Sequence, residues 1–419
     1  MTKIGVIGVG TVGRSVVDIL EKNRDIITAR SGDEIVVKSG VARDITKHSD
    51  LDIHLTADAF SVVDDPEIDI IVELIGGVEL PLEIVKRALA NGKSVVTANK
   101  ALLAYHRYEL QELVGELAFE YEASVAGGIP IINALRDGLS ANHIESIMGI
   151  MNGTCNFMLT KMINEGAEYK DVLLEAQQLG YAEADPTFDV GGFDAAHKLL
   201  ILASIAYGID AKPEDILIQG IEGITTTDIE FAKEFGYTIK LLAIAKRDGD
   251  EVELRVHSAL VKKEAMIAKV DGVMNGVSVV GDRVGETLYY GAGAGGDATA
   301  SAVVANIIDI VRSGKRSPML GFNHPLEQGL RLKNIDDITS KYYLRLKVVD
   351  KSGILAKITK LFAEFDISIE AVVQKPVSDG SANLLFATHT ASERAMREML
   401  ESFEGLESVL EKPFMIRIV

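Results

Sequence analysis

The first 130 residues of the chain alternate short apolar runs with stretches of helical periodicity. The runs are Ile4–Ile7, Glu34–Val41, Ile68–Leu74, Ser94–Ala98 and Ala118–Tyr121. Their apolar residues follow one another with few polar ones between, as in strands covered by helices on both faces. Strand and helix in alternation predict a doubly wound parallel sheet, the Rossmann type. Beyond residue 130 the helical stretches lengthen, with turns at Gly149–Asn156, Gly180–Gly192 and Gly291–Gly296. The stretch Ala298–Val311 predicts a helix that packs back on the first domain. The last section reads as strand Tyr342–Val349, helix Gly353–Phe365, strands Ile367–Val373 and Asn383–Thr390, helix Ala391–Phe403 and strand Ser408–Val419. That βαββαβ order is ferredoxin-like. The expected domains are 1–130 with a returning helix at about 298–320, an α+β domain over 131–297, a linker over 321–341, and a small domain over 342–419.

Composition narrows the class. A chain of 419 residues, 47% hydrophobic and 25% charged, holds roughly two to four globular domains. Its net charge of −19 argues against nucleic acid or an anionic membrane as partner, since both need local positive potential. No apolar stretch approaches the ~20 residues of a membrane span. Met1-Thr2-Lys3 runs directly into the first strand rather than into a secretory leader. The single cysteine, Cys155, forms no internal disulfide and suits a reducing compartment, so a cytoplasmic protein is expected.

Gly8-Val9-Gly10-Thr11-Val12-Gly13 is a G-x-G-x-x-G between a strand and a helix. The spacing implies a tight turn at Gly8, close approach of a pyrophosphate at Gly10, and close helix–strand packing at Gly13. The helix beginning near Thr11 offers its free N–H groups to the phosphates. Arg43, with Lys47 one turn on, follows the second strand where a ribose 2′-phosphate would lie, which favours NADP; Asp44 keeps NAD open. Lys47 reads equally well as a solvated lysine. Thr97-Ala98-Asn99-Lys100 ends a strand on the side where open α/β sheets meet ligands. An amide and an ammonium there could meet the nicotinamide and the substrate, although a generic strand-end turn fits the spacing too.

The segment Gly180–Lys198 carries four carboxylates, Glu183, Asp185, Asp189 and Asp194, in a Gly/Pro-rich loop entering a helix. Asp194 and Lys198 stand i, i+4 on one face. On spacing alone an ordinary ion pair slightly outweighs a tuned proton-transfer lysine. Cys155 has no base beside it in sequence and reads as a packed small residue, while Thr154 is expected to cap a helix and contact substrate. His106, His143 and His197 lack metal-ligand spacing.

Taken together, Thr97–Lys100, Glu122–Asp137, Gly149–Asn156 and Gly180–Lys198 resemble homoserine dehydrogenase, in order and across nearly the whole chain to about Val311. The resemblance implies interconversion of L-homoserine and L-aspartate 4-semialdehyde with a nicotinamide cofactor. It puts the family's two essential lysines on Lys100 and Lys198. It puts substrate-binding carboxylates on Glu183 and Asp194, with Tyr181 and Asp189 lining the pocket. Lys198 is the favoured proton carrier and Asp194 its orienter; Lys100 or a bridging water stays an alternative. The resemblance further implies a monovalent-cation loop, with sodium held by carbonyls of Glu122, Val125, Gly127 and Ile129, and a second cofactor loop at Gly291–Gly296, with Gly295 singled out.

Residues 342–419 resemble the ACT domain through Val348–Ala356 and Ile367–Glu370, with Ser352 where that family often has proline. The resemblance implies an amino-acid effector, threonine foremost; a dimerisation module that senses nothing is the competing reading. A homodimer or homotetramer is expected. Against the enzyme stand a dehydrogenase of another small amino or hydroxy acid and a catalytically silent NAD(P) and amino-acid sensor.

Overall fold

A computed structural model describes residues 1–312, 317–326 and 329–419. Residues 313–316 of the expected returning segment and 327–328 of the expected linker lie outside these. Among the described residues no helix is long and apolar enough to cross a membrane. The chain divides into two compact units. One comprises Met1–Ile147, Ala196–Asp215 and Val273–Leu330; the other comprises Met148–Ala195, Ile216–Gly272 and Arg331–Val419.

The first unit is built on six parallel strands: β1 (Thr2–Ile7), β2 (Ile35–Val41), β3 (His54–Thr56), β4 (Ile70–Glu73), β5 (Ser94–Thr97) and β6 (Phe119–Glu120). Their spatial order is β3-β2-β1-β4-β5-β6, so the chain reverses direction across the sheet between β1 and β4. Ligands of such sheets bind at the carboxyl ends of the strands at that reversal. Between the strands run α1 (Thr11–Lys22), α2 (Arg24–Ser31), α3 (Ala59–Val63), α4 (Glu79–Ala90) and α5 (Lys100–Val114). Strand β3 escapes the apolar-run reading because it is three residues long and exposes His54. The helix Gly296–Arg312 returns to this unit. Its Ala300, Val303, Val304 and Ile307 share one core with Ile4 and Val6 of β1 and Val16 and Leu20 of α1. Burial of each such Val, Leu or Ile side chain contributes about 1.5–3 kcal/mol, which makes the helix integral to the nucleotide unit.

In the second unit the hairpin Tyr237–Asp248 and Glu251–Lys262 continues into the C-terminal domain. The last strand, Phe414–Ile418, pairs parallel with Glu251–Lys262 and antiparallel with Thr339–Val349, which in turn pairs with Ser381–Thr388. Helices Ile354–Glu364 and Glu393–Glu404 complete the βαββαβ domain. Tyr342, Leu344, Leu346 and Val348 alternate inward against Phe362, Met399 and Phe403. The final strand is shorter than the apolar run from Ser408 implied. Pro413 has no N–H to give a ladder, and Val409 forms only an isolated bridge to Val348.

Candidate functional site

The glycine loop follows β1. Gly8 has φ +107°, and a Cβ on it would meet Leu74 O at 2.9 Å, so the turn leaves room for hydrogen alone. A Cβ on Gly13 would lie 2.2 Å from the carbonyl oxygen of Gly8, which seats α1 directly on the loop. Beside Gly10 nothing lies within 4 Å, so the backbone is open to a ligand there. Thr11 and Val12 open α1, whose N-terminus carries no side-chain cap, leaving its N–H groups to an anion. Gly295, at φ +115°, directly precedes the returning helix, and a Cβ on Gly296 would meet Ser15 Oγ at 3.0 Å. The two glycine loops therefore converge on the start of α1. Arg43 and Lys47 are exposed just past β2, with Lys47 3.9 Å from Asp44. Asp33 lies before β2, at the opposite end of the strand from Arg43, and pairs with the N-terminus at 2.8 Å.

Thr97 ends β5 fully buried, its hydroxyl donating to the Glu73 carboxylate at 2.5 Å. Asn99 caps α5 by accepting from the Leu102 N–H at 3.0 Å, and Lys100 is the helix's first residue. A cation there faces the positive end of the helix dipole, at a cost of about 0.3–1 kcal/mol.

In the Glu122–Ile129 loop, Ala126 and Gly127 take φ +54° and +53°, which turns successive carbonyls in different directions. The Glu122 carbonyl accepts from Val125 N–H at 3.4 Å, and that of Ile129 from Ile131 N–H at 2.8 Å. The carboxylate of Glu122 points elsewhere, accepting the Ile132 and Asn133 N–H groups at 2.8 and 2.9 Å. Burial pushes this carboxyl up to about 7 in spite of both amides. A donor set of carbonyl oxygens fits a hard monovalent cation. Among the described residues no cluster of His, Cys, Asp and Glu with metal-ligating arrangement occurs.

In the second unit one residue organises the carboxylates. Asn152, 5% exposed, caps the helix Gly153–Glu165 by accepting from Cys155 N–H at 2.8 Å. Its amide hydrogens go to Asp189 Oδ1 at 2.8 Å and Asp194 Oδ2 at 2.9 Å. Two carboxylates held on one amide make an acceptor-rich cluster. The sequence reading gave the cap to Thr154; the cap is Asn152, because a side chain one residue before the first helical N–H groups reaches them. The Thr154 hydroxyl instead donates to the Tyr181 carbonyl. The half-exposed Tyr181 ring packs edge-on against Phe157 at 5.0 Å between centroids, and Glu183 is exposed. Cys155 is buried, its thiol donating to the Asp189 carbonyl at 3.2 Å, a packed residue as expected. Asp194 and Lys198 are both buried, one turn apart in the helix Phe193–Tyr207. Asn152 and Glu73 were missed. A lone carboxylate closing the apolar run Ile70–Val72 could have exposed Glu73; nothing local marks what Asn152 binds.

A parallel sheet that offers bare backbone at its reversal point is how dinucleotide-dependent oxidoreductases are built, and the chain is of that class. The family model described as homoserine dehydrogenase, NAD binding domain, matches residues 8–120, and that described as homoserine dehydrogenase matches 130–308. An ACT domain model matches 342–408. The chain is 55% identical over 416 residues to the homoserine dehydrogenase of Helicobacter pylori, covering 99% of this chain and 98% of that one. With the homoserine dehydrogenase of Bacillus subtilis it shares 40% identity over 98% of its length and 96% of the relative's. The solved homoserine dehydrogenase of Thiobacillus denitrificans superposes with a TM-score of 0.93 at 45% identity, over 100% of this chain and 98% of that one. A hyperthermophilic archaeal homoserine dehydrogenase in complex with NADPH aligns at a TM-score of 0.63 and 29% identity, over 74% of this chain and 97% of its own. The chain belongs to the homoserine dehydrogenase family.

Proposed function

We propose that the protein interconverts L-homoserine and L-aspartate 4-semialdehyde, with NADP preferred over NAD, and that an amino acid bound at the ACT domain regulates it. The observation that carries this reading is the continuity of the match. It spans 416 residues at 55% identity overall, 99% of this chain and 98% of the relative's.

When bound at the Gly8–Gly13 loop, the nicotinamide supplies the hydride acceptor for homoserine oxidation. The chain's own residues do the rest. Glu183 holds the substrate ammonium. Lys198 Nζ, as a neutral amine, takes the proton of the terminal hydroxyl as its C–O bond becomes a carbonyl, and returns it in reduction. Asp194 orients that amine, Lys100 orients the substrate, and Asp189, Tyr181 and Thr154 line the pocket. Gly10, Thr11, Val12, Gly13, Thr97 and Gly295 hold the cofactor, while the exposed Arg43 and Lys47 suit a 2′-phosphate. Carbonyls of Glu122, Val125, Gly127 and Ile129 would hold sodium, which would fix that loop. Threonine is the candidate effector, a homodimer or homotetramer the assembly, and the cytoplasm the location; the resemblance supports the first two and the single cysteine the third.

The test is NADPH and NADH formation from L-homoserine at alkaline pH, with and without threonine and sodium. Turnover faster with NADP, inhibited by threonine, is expected. Lys198→Ala should lower kcat by about 10²–10⁴ while leaving the cofactor dissociation constant unchanged. Full turnover in that variant would remove Lys198 from the proton-transfer role.

A further inference from the structure

The end of β4 carries a feature that sheet stability does not call for. Glu73 is 0% exposed, at the last position of an otherwise apolar strand. A buried carboxylate is costly unless its oxygens are satisfied. Here both are. Oε1 accepts from the Ile75 N–H at 2.8 Å and Oε2 from the Thr97 hydroxyl at 2.5 Å, across the registered pair Glu73–Thr97. Thr97 Oγ1 in turn accepts from the Asn99 N–H at 3.0 Å. The Asn99 amide then donates to the carbonyls of Ile75 at 3.2 Å and Gly77 at 2.8 Å. The circuit returns to the loop in which it began, and every bond in it is anchored, directly or through Thr97, on one carboxylate.

The loop so held borders the nucleotide cleft. Leu74 and Ile75 are the atoms that a Cβ on Gly8 would strike, so this loop and the Gly8–Gly13 loop touch. Gly76 and Gly77 have nothing within 4 Å of a would-be Cβ and present bare backbone to open space. Asn99, the last link, caps the helix that begins with Lys100.

We propose that Glu73 is a positioning residue for the cofactor: its carboxylate fixes the 74–77 loop as the second wall of the nucleotide cleft, and thereby sets dinucleotide affinity. The proposal rests on reading Gly8–Gly13 as the cofactor loop. The geometry requires an acceptor at both oxygens. An amide at this position keeps one acceptor, but its NH2 faces either the Ile75 N–H or the Thr97 hydroxyl. In the second case the threonine hydrogen loses its acceptor.

The full-length wild type, Glu73→Gln, Thr97→Val and the double variant are titrated with NADPH, following nucleotide fluorescence, with thermal midpoints recorded in parallel. Each single variant should weaken NADPH binding about fivefold to tenfold, what one buried hydrogen bond contributes. The double variant should lose less affinity than the sum of the two single losses, since both act on one hydrogen-bonded circuit. The homoserine KM should move less than the cofactor's. If Glu73→Gln fails to fold, the near-isosteric Thr97→Val carries the test. Folded variants with unchanged NADPH affinity would overturn the proposal and leave Glu73 a structural residue, as would losses that simply add. No homoserine is present in the titration. A wild type that binds NADPH but does not oxidise homoserine therefore removes the substrate reading and leaves this one standing, whereas a wild type that binds neither NADPH nor NADH removes both.

Discussion

The glycine loop of the first unit and the carboxylate cluster of the second solve recognition in opposite ways. The loop binds with backbone: Gly8, Gly10 and Gly13 contribute by lacking side chains, and the charge complement of a phosphate comes from N–H groups and a helix terminus. The cluster, as proposed, binds with side chains. Asp189 and Asp194 supply the charge, and Asn152 fixes their direction from a helix cap. A backbone site fails when atoms are added, a side-chain site when atoms are removed. The two should therefore respond to opposite kinds of substitution, and that difference can be tested.

The largest effect is expected at Gly13. A methyl there would sit 2.2 Å from the Gly8 carbonyl oxygen, so either α1 or the turn must move. Displacement of this kind costs about 1–3 kcal/mol in a packed interior. Gly13→Ala should lower the thermal midpoint and weaken NADPH binding on the order of 100-fold. Gly10→Ala is the control, because nothing lies within 4 Å of its would-be Cβ. Its thermal midpoint without cofactor should match the wild type, while its NADPH affinity falls. Equal midpoints for Gly10→Ala and Gly13→Ala would contradict the packing role of Gly13.

The next effect sharpens the comparison from the other side. Asn152→Ala removes two hydrogen bonds to carboxylates and a helix cap. It should cut kcat/KM for homoserine about 10–100-fold through lost orientation of the aspartates. The NADPH dissociation constant should stay within about twofold, since Asn152 and the glycine loop belong to different compact units. Asn152→Asp separates cap from clamp. An aspartate still accepts from the Cys155 N–H, so the helix keeps its cap. It cannot donate to Asp189 or Asp194 and adds like charge beside them. The Asp variant should therefore be more stable than the Ala variant yet no more active. A fully active Asp variant would sink the clamp role.

The same contrast explains what could be read from sequence. The glycine spacing, the apolar runs and the βαββαβ order were legible because each is a local rule: one loop, one strand, one helix at a time. Gly13 is as readable as a letter as it is in space. The carboxylate segment was legible as a concentration of charge but not as a mechanism. Asn152 lies 37 residues from Asp189 and 42 from Asp194, and no spacing rule links them. Thr154 drew the cap assignment because hydroxyls cap well, but the helix begins two residues too early for it. Glu73 stayed hidden because its partner, Thr97, becomes a neighbour only once β4 and β5 lie in register. The short edge strand β3 was invisible for want of length.

The smallest effect concerns the Glu122–Ile129 loop, which mixes the two styles. Its carbonyls are the proposed backbone donors for a cation, whereas the Glu122 carboxylate anchors the next segment through two amides. Burial pushes that carboxyl up to about 7, against 4.5 for a free glutamate. Between those values the folded state holds a proton that the unfolded chain has lost. The stabilisation is thus fully present below about 4.5 and is lost as pH rises through about 7, amounting to at most about 3 kcal/mol. The wild-type thermal midpoint should fall between pH 5 and pH 8. Glu122→Gln, which cannot ionise, should show a shallower slope across that window, with lower stability at pH 5 where its NH2 meets one of the two N–H donors. Glu73, likewise pushed up to about 7 by burial, remains in the variant and leaves a residual slope of the same sign. Added sodium should raise the midpoint of both proteins equally, because the carbonyls that would hold it are untouched. A sodium response lost with the carboxylate would place the side chain, not the backbone, at the ion, and the loop would then belong with the side-chain cluster rather than with the glycine turn.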